Sequence, residues 1–315
     1  MISIFHKVNG HIEMTNDPEA LKGISKDEII WVDLMESTPE IETFIEEYFG
    51  VEIINNEEAL EIEHSSRFIE FADHLVTRTA FVSRKELKFL QSTVSFTICK
   101  KLLITNRSYD YRSFKETAKK MVAGNSIESN ADVFLSIIDL RIANDADIVE
   151  DVTKEITALS TAIITEYRSR KNLILKVNDI RENLMMLMQN CIDKKLMINL
   201  VRKSSYFDQR FDFEIDISIK DLESVIDYIR FNMDRIDYID RTLNNLITYD
   251  QNSSIKLFTI ISLFFMPPML IASVYGMNFH FMPELDWDLG YYFSLILMLV
   301  SVIITAIYFK RKRWL

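Results

Sequence analysis

Two stretches decide the fold: LFTIISLFFMPPMLIASVY (257–275) and YYFSLILMLVSVIITAIYF (291–309). Neither contains a charged residue. A helix of about 20 apolar residues is long enough to cross the hydrocarbon core of a bilayer, which is roughly 30 Å thick. Because the two stretches follow each other closely, they predict two transmembrane helices at the end of the chain.

The segments that flank these stretches predict their orientation. The connection GMNFHFMPELDWDLG (276–290) contains no Lys or Arg and carries Glu284, Asp286 and Asp288, whereas KRKRWL (310–315) follows the second stretch directly. Positive charge marks the cytoplasmic side of a membrane protein. We therefore expect a multi-pass protein of the cell (inner) membrane with both termini cytoplasmic. The three acids of the outer connection are expected only to raise the local concentration of cations.

The residues before the membrane stretches divide into two parts. Residues 1–124 are predicted to form a cytoplasmic α/β domain, with strands within 29–34, 66–84, 87–100 and 101–106. Helices are expected at 38–49, where Thr38 and Pro39 are typical of a helix start, and at 55–64.

Residues 125–254 are predicted to form long helices, since no glycine occurs between Gly124 and Gly276 and no proline between Pro39 and Pro267. Apolar residues recur at three-to-four spacing in 131–156, in 171–192 and from about 215 onward. The last helix is expected to continue into the membrane and to end at Tyr275, a length of about 90 Å. Its buried face is expected to contain Leu222, Ile226, Ile229, Met233, Ile236, Leu243 and Leu246. The predicted fold class is an α+β domain joined to long helices and two C-terminal transmembrane helices.

The first membrane segment, with its approach, carries a stripe of residues at alternating spacings of three and four. These are Asn252, Ile255, Thr259, Ser262, Met266, Met269 and Ser273. A 3.5-residue repeat is typical of a helix that faces identical helices around an axis. A polar line through a membrane helix indicates either a helix-packing interface or the wall of a pore.

Composition and motifs argue against several other functions. A net charge of −11 and a pI near 5.1 do not fit a nucleic-acid-binding protein, which needs a basic face. The two cysteines form no CxxC pair, and the five histidines show no metal-ligand spacing. No nucleotide-binding glycine loop or catalytic motif occurs. We therefore expect that the protein is not an enzyme.

The connection between the two stretches reveals a family resemblance. Tyr275-Gly276-Met277-Asn278-Phe279, followed by Met282-Pro283-Glu284-Leu285, resembles the signature of the CorA family of magnesium channels. The preceding apolar helix, the second apolar stretch and the basic end that closes in Trp314-Leu315 fit the same family.

The resemblance implies a funnel-shaped homopentamer embedded in membrane lipid. Residues 255–275 would line the pore, 276–290 would form the periplasmic mouth, and 291–309 would surround the pore, with 310–315 as a basic cytoplasmic tail. Gly276, Met277 and Asn278 would form the selectivity filter. Mg²⁺ keeps several of its waters, and the Asn278 side chain and the Gly276 carbonyl could bind them. Gly276 would also permit a sharp turn or a positive φ at the end of the helix.

The implied function is passive transport of Mg²⁺, extending to Co²⁺ and Ni²⁺, driven by the membrane potential and gated by intracellular Mg²⁺. Mg²⁺ would then be both the substrate and a regulatory ligand. Candidate regulatory ligands are Asp216 and Asp221, near the start of the last long helix. The acidic run Asp145, Asp147, Glu150, Asp151 and Glu155 offers further carboxylates, but this run is more typical of a solvated acidic surface. Two alternatives stay open: a zinc transporter of the same family, and a membrane-tethered multimeric scaffold or sensor.

Overall fold

The computed structural model describes residues 1–53, 68–85, 88–124, 127–165, 170–207, 209–278, 280, 282–283 and 287–311. It contains two compact units, Met1–Asp240 and Arg241–Leu315. The helix expected at 55–64 lies outside the described residues.

The first unit is built on a seven-stranded sheet. Its strands are β1 (Ile2–Val8), β2 (His11–Thr15), β3 (Ile29–Met35), β4 (Phe68–Glu70), β5 (His74–Lys85), β6 (Lys88–Cys99) and β7 (Leu103–Arg107). They are ordered β2-β1-β3-β7-β6-β5-β4, and every neighbouring pair is antiparallel except β3 and β7. The four predicted strand regions are confirmed, while β1 and β2 had no individual prediction.

One side of this sheet is covered by helix α1 (Pro39–Phe49). Ile45 of α1 is fully buried in a cluster of strand residues that includes Ile4, Val32 and Ile104. The helix ends at Gly50, whose φ of 73° is a left-handed conformation that glycine adopts without strain. The predicted helix at 38–49 is therefore confirmed.

An aromatic layer lies between the sheet and the next helices. Phe81 and Phe96 of the sheet contact Phe114 of helix α2 (Arg112–Val122) and Phe134 of helix α3 (Asn130–Thr165), with ring centroids 5.3–6.1 Å apart. Such contacts add to the hydrophobic stabilisation that burial of the rings provides.

The long helices are confirmed. After α3 come α4 (Arg170–Lys203) and α5 (Asp212–Tyr275), and α5 is a single helix of 64 residues. In the first unit the predicted face of α5 is buried at Leu222, Ile226, Ile229 and Ile236, and Asn232 and Ile239 share that face. The final helix is α6 (Gly290–Arg311).

Candidate permeation path in the membrane unit

The second unit carries the two apolar stretches on α5 and α6. An 18-residue window in each helix reaches a mean hydropathy of 2.1 and 2.3, respectively. Within the chain, none of this 18-residue segment of α5 is buried, and 11% of the corresponding segment of α6 is buried. An apolar surface this large and this exposed is unusual for a water-soluble protein, and it suits contact with lipid or with other helices.

The two membrane helices contact each other along one side of α5. The Phe264 ring stacks against the Phe309 ring of α6 with centroids 6.0 Å apart. The other partly covered residues of α5 in this region recur at the same side of the helix: Ile260, Pro267, Pro268, Ile271 and Tyr275. This side is the α6-facing side of the helix.

The predicted stripe lies on the other side of α5. All seven of its residues are exposed, with Met266 at 61% and Met269 at 66%. Since an α-helix has 3.6 residues per turn, Met266 points about 200° away from Phe264. The stripe is therefore free of contacts with α6 and available to other copies of the chain.

Two prolines lie within α5 at positions 267 and 268. Neither has a backbone N–H, so two carbonyl groups one turn earlier lose their intrahelical donors. Both prolines are on the α6-facing side, and the helix continues beyond them to Tyr275.

The end of α5 brings the three predicted filter residues to the surface. The Gly276 N–H donates to the Ala272 carbonyl at 2.9 Å, and the Met277 N–H donates to the Val274 carbonyl at 3.3 Å. Met277 and Asn278 are exposed directly after this last turn. Of the outer acids, Asp288 is exposed, whereas Glu284 and Asp286 lie outside the described residues.

Of the two conformations that Gly276 would permit, the structure shows the turn at the end of α5 and not the positive φ. The glycines with positive φ in the part of the chain that the structure describes are Gly10, Gly50 and Gly124. At Gly276 the constraint is space instead, because a Cβ added there would lie 3.1 Å from the Ala272 carbonyl oxygen. The helical hydrogen bond of Gly276 holds its backbone close to that carbonyl.

The two candidate regulatory aspartates are both exposed on the first unit's part of α5. Asp216 accepts a hydrogen bond from Arg202 at 2.7 Å, and Arg202 also pairs with Asp212 at 3.0 Å. Asp221 lies near Asp139, which accepts a hydrogen bond from Ser218 at 2.5 Å. Burial raises the pKa of Asp139, and the charges of Asp221 and Glu214 raise it further. Among the described residues, no three His, Cys, Asp or Glu side chains are arranged to hold a metal ion within one chain.

Most members of the acidic run at 145–155 are paired with cations of the same chain, and Asp145 is buried rather than solvated. Asp145 is fully buried between Arg141 and Lys194. Glu155 pairs with Arg84, and Lys154 lies 3.1 Å from both Glu150 and Asp151. Four of the five acids therefore have a cationic partner in the same chain.

Comparison with known proteins identifies the family. A family model described as CorA-like Mg²⁺ transporter protein matches residues 26–311. The chain belongs to the CorA family. Magnesium transport protein CorA of Wolinella succinogenes is 32% identical over an alignment that covers 100% of both proteins. Magnesium transport protein CorA of Escherichia coli is 28% identical, again over 100% of both.

Solved structures share the fold. The complete CorA magnesium transporter from Methanocaldococcus jannaschii matches with a TM-score of 0.82 at 16% identity, covering 100% of this chain and 99% of that one. The ZntB cytoplasmic domain from Vibrio parahaemolyticus matches with a TM-score of 0.58 at 12% identity, covering 78% of this chain and 98% of that one. The CorA family consists of transporters, so the expectation that this membrane protein is not an enzyme is confirmed.

Proposed function

We propose that copies of this chain form a homo-oligomeric pore through which Mg²⁺ crosses the cell membrane passively. The names of the full-length relatives support magnesium as the main ion. Two charges gain about 4.6 kcal/mol per 100 mV of membrane potential, from roughly 2.3 kcal/mol per charge, so no nucleotide is needed. By the family resemblance the oligomer is a pentamer, and Co²⁺ and Ni²⁺ are further substrates.

One observation carries the proposal of a pore between copies. In α5 every seventh residue from Ile217 to Ser273 is exposed: Ile217, Ser224, Phe231, Tyr238, Asn245, Asn252, Thr259, Met266 and Ser273. Four of these exposed side chains (Ile217, Phe231, Tyr238 and Met266) are apolar or aromatic and the other five are polar and uncharged. A seven-residue repeat of exposed, uncharged side chains along one helix fits packing against copies of the same helix. The same repeat contains four residues of the predicted membrane stripe, Asn252, Thr259, Met266 and Ser273, on the side that faces away from α6.

The side chains of this stripe suit a pathway for a hydrated cation. Asn252, Thr259, Ser262 and Ser273 offer polar atoms, whereas Ile255, Met266 and Met269 would make apolar rings that can close by dewetting. At the outer end, Gly276, Met277 and Asn278 would form the filter. Neutral oxygens of Asn278 and Gly276 can bind the waters of Mg²⁺ without removing them, which holds the ion weakly enough for it to leave. Asp288, with Glu284 and Asp286, would attract cations to this mouth.

We further propose that both termini lie in the cytoplasm, since Lys310 and Arg311 end the second membrane helix. In a Cys-free background of the full-length chain, Asp288→Cys should react with a membrane-impermeant maleimide from outside intact cells. Arg311→Cys should react only after the membrane is opened. Labelling of position 311 from outside would reverse the topology.

The main test of transport is ion flux into liposomes that contain the purified full-length protein. With an inside-negative potential of about 100 mV, two charges favour accumulation of Mg²⁺ by roughly a thousandfold, and the flux should reverse with the sign of the potential. Liposomes without protein provide the control. Absence of flux of Mg²⁺ and of Zn²⁺ alike would leave the membrane-tethered scaffold or sensor as the function.

Competition in the same liposomes separates the remaining substrates. Co²⁺ and Ni²⁺ should reduce Mg²⁺ uptake if they share the pore. Zn²⁺ uptake faster than Mg²⁺ uptake at equal concentration would favour the zinc-transporting alternative.

A further inference from the structure

Three charged side chains are buried together in the first unit, away from the proposed pore. Arg141 and Asp145 lie on α3 and Lys194 lies on α4, with exposed fractions of 3%, 0% and 0%. The Arg141 guanidinium donates to the Asp145 carboxylate, and Lys194 Nζ lies 2.9 Å from Asp145 Oδ2. One carboxylate is therefore buried with two cationic side chains.

The same side chains join both helices to the sheet. Arg141 donates to the Val82 carbonyl at 2.6 Å, and Asn190 of α4 donates to the Ala80 carbonyl at 2.7 Å. Lys194 in turn donates to the Asn190 side chain. Among the described residues, strand β4 pairs with β5 at Leu75–Thr77, and these two carbonyls lie beyond that pairing.

The balance of charge makes Lys194 the group that releases a proton. Arginine stays protonated in proteins, and the single carboxylate of Asp145 can neutralise only one cation. A protonated Lys194 would leave a net positive charge without water around it, which is costly. Burial lowers the pKa of Lys194; Asp145 opposes this effect and Arg141 adds to it.

We propose that Arg141, Asp145, Asn190 and Lys194 form a proton-sensitive latch, which holds α3 and α4 on strand β5 and loosens as the solution acidifies. The closed latch holds Lys194 neutral, whereas an opened latch exposes it to water as an ordinary ammonium. The closed state then binds one proton fewer. This difference matters at pH values between the lowered pKa of Lys194 and the ordinary lysine value of 10.5. In that range, each unit fall in pH raises the population of the opened state, relative to the closed state, by at most about tenfold.

The other titratable groups around the latch keep their protonation states near neutral pH. The Tyr111 ring lies 5.8 Å from the Arg141 guanidinium, and burial raises its pKa. Burial also raises the pKa of Cys191 to about 12. Although burial opposes ionisation of Asp145, its pKa lies below the usual value, and Arg141, which stays protonated, is the cation that faces this carboxylate when Lys194 is neutral. From β5, the Phe81 ring lies 5.0 Å from the Arg141 guanidinium and 5.5 Å from Lys194 Nζ.

Hydrogen exchange of the full-length protein in detergent, read by mass spectrometry, tests the latch. After correction for intrinsic exchange rates, peptides around Arg141 and Lys194 should open up to tenfold more for each unit by which the pH falls below 10.5, until the lowered pKa of Lys194 is reached. Lys194→Met should remove this dependence. Lys195→Met, which removes the exposed neighbour that pairs with Glu223 at 2.6 Å, should retain it.

Two results would overturn the proposal. The first is that, in the wild-type protein, the exchange rates of these peptides, corrected for intrinsic exchange, do not change with pH. This measurement requires no variant protein. The other is an unchanged pH slope in folded Lys194→Met. Neither depends on whether the protein transports Mg²⁺.

Discussion

At the scale of single residues, Asn278 carries the most specific expectation for transport. It is exposed directly after the last turn of α5, where its amide oxygen can accept hydrogen bonds from the waters of an approaching ion. Asn278→Ala removes that acceptor from every copy at once. A single hydrogen bond contributes about 0.5–1.5 kcal/mol, so loss from several copies should reduce selective Mg²⁺ flux by about tenfold or more.

The measurement for Asn278→Ala is Mg²⁺ uptake into liposomes, with size-exclusion chromatography to confirm unchanged assembly. Asp288→Asn provides a matched control in the same connection, since loss of a diffuse electrostatic attraction should have a mild effect that fades with salt. Wild-type flux in Asn278→Ala would remove this residue from the mechanism.

Gly276 and Asp145 show which residue properties the sequence predicts poorly. The motif indicated that glycine is needed at 276, but not whether the need is a positive φ or space beside the Ala272 carbonyl. Asp145 and Arg141 are four residues apart on a helix, a spacing that also occurs in many exposed ion pairs. Their burial depends on Lys194, which is remote in sequence, and on strand β5.

At the scale of elements, the sequence predicted the helices more completely than the sheet. Long runs without glycine or proline and with one apolar face define α3, α4 and α5, because helix periodicity is a local property. The strands β1 and β2 are short, and β2 has only partly buried or exposed residues, so their pairing depends on β3. The α6-facing side of α5 could not be predicted either, since it is set by the contact of Phe264 with Phe309.

The two sides of α5 in the membrane should differ in their access to water. In a Cys-free background, Ser262→Cys and Met266→Cys should react with a pore-permeant methanethiosulfonate reagent. Phe264→Cys and Ile271→Cys, on the α6-facing side, should react at least about tenfold more slowly, because lipid and protein exclude water there. The reaction is followed by the loss of Mg²⁺ flux and by mass spectrometry.

Equal reactivity on the two sides of α5 would contradict the assignment of the pore stripe. Faster reaction at Phe264→Cys than at Met266→Cys would place the pore on the other side of the helix. Mass spectrometry detects both results directly in protein that assembles normally. They therefore do not depend on which ion is transported.

At the scale of the whole molecule, a passive pore for an abundant ion needs a means of closing. Asp216 and Asp221 are exposed near the start of α5, the helix whose far end carries the pore stripe. No metal site is formed by the described side chains of one chain, so a regulatory ion would need carboxylates from more than one copy. Mg²⁺ bound between copies would favour the closed state through its higher affinity for that state.

Protease protection of the full-length protein tests this regulation. Mg²⁺ at about 1–10 mM should slow proteolysis of the first unit in wild type by severalfold, and Asp216→Ala combined with Asp221→Ala should abolish the effect. Because Asp216 also pairs with Arg202, the control is Asp212→Ala, which removes the other partner of the same arginine and should retain protection. Protection that persists in the double variant would exclude these two aspartates. If Mg²⁺ gives no protection in wild type, the first unit does not sense the ion at all, and closure of the pore has to depend on the apolar rings of Ile255, Met266 and Met269.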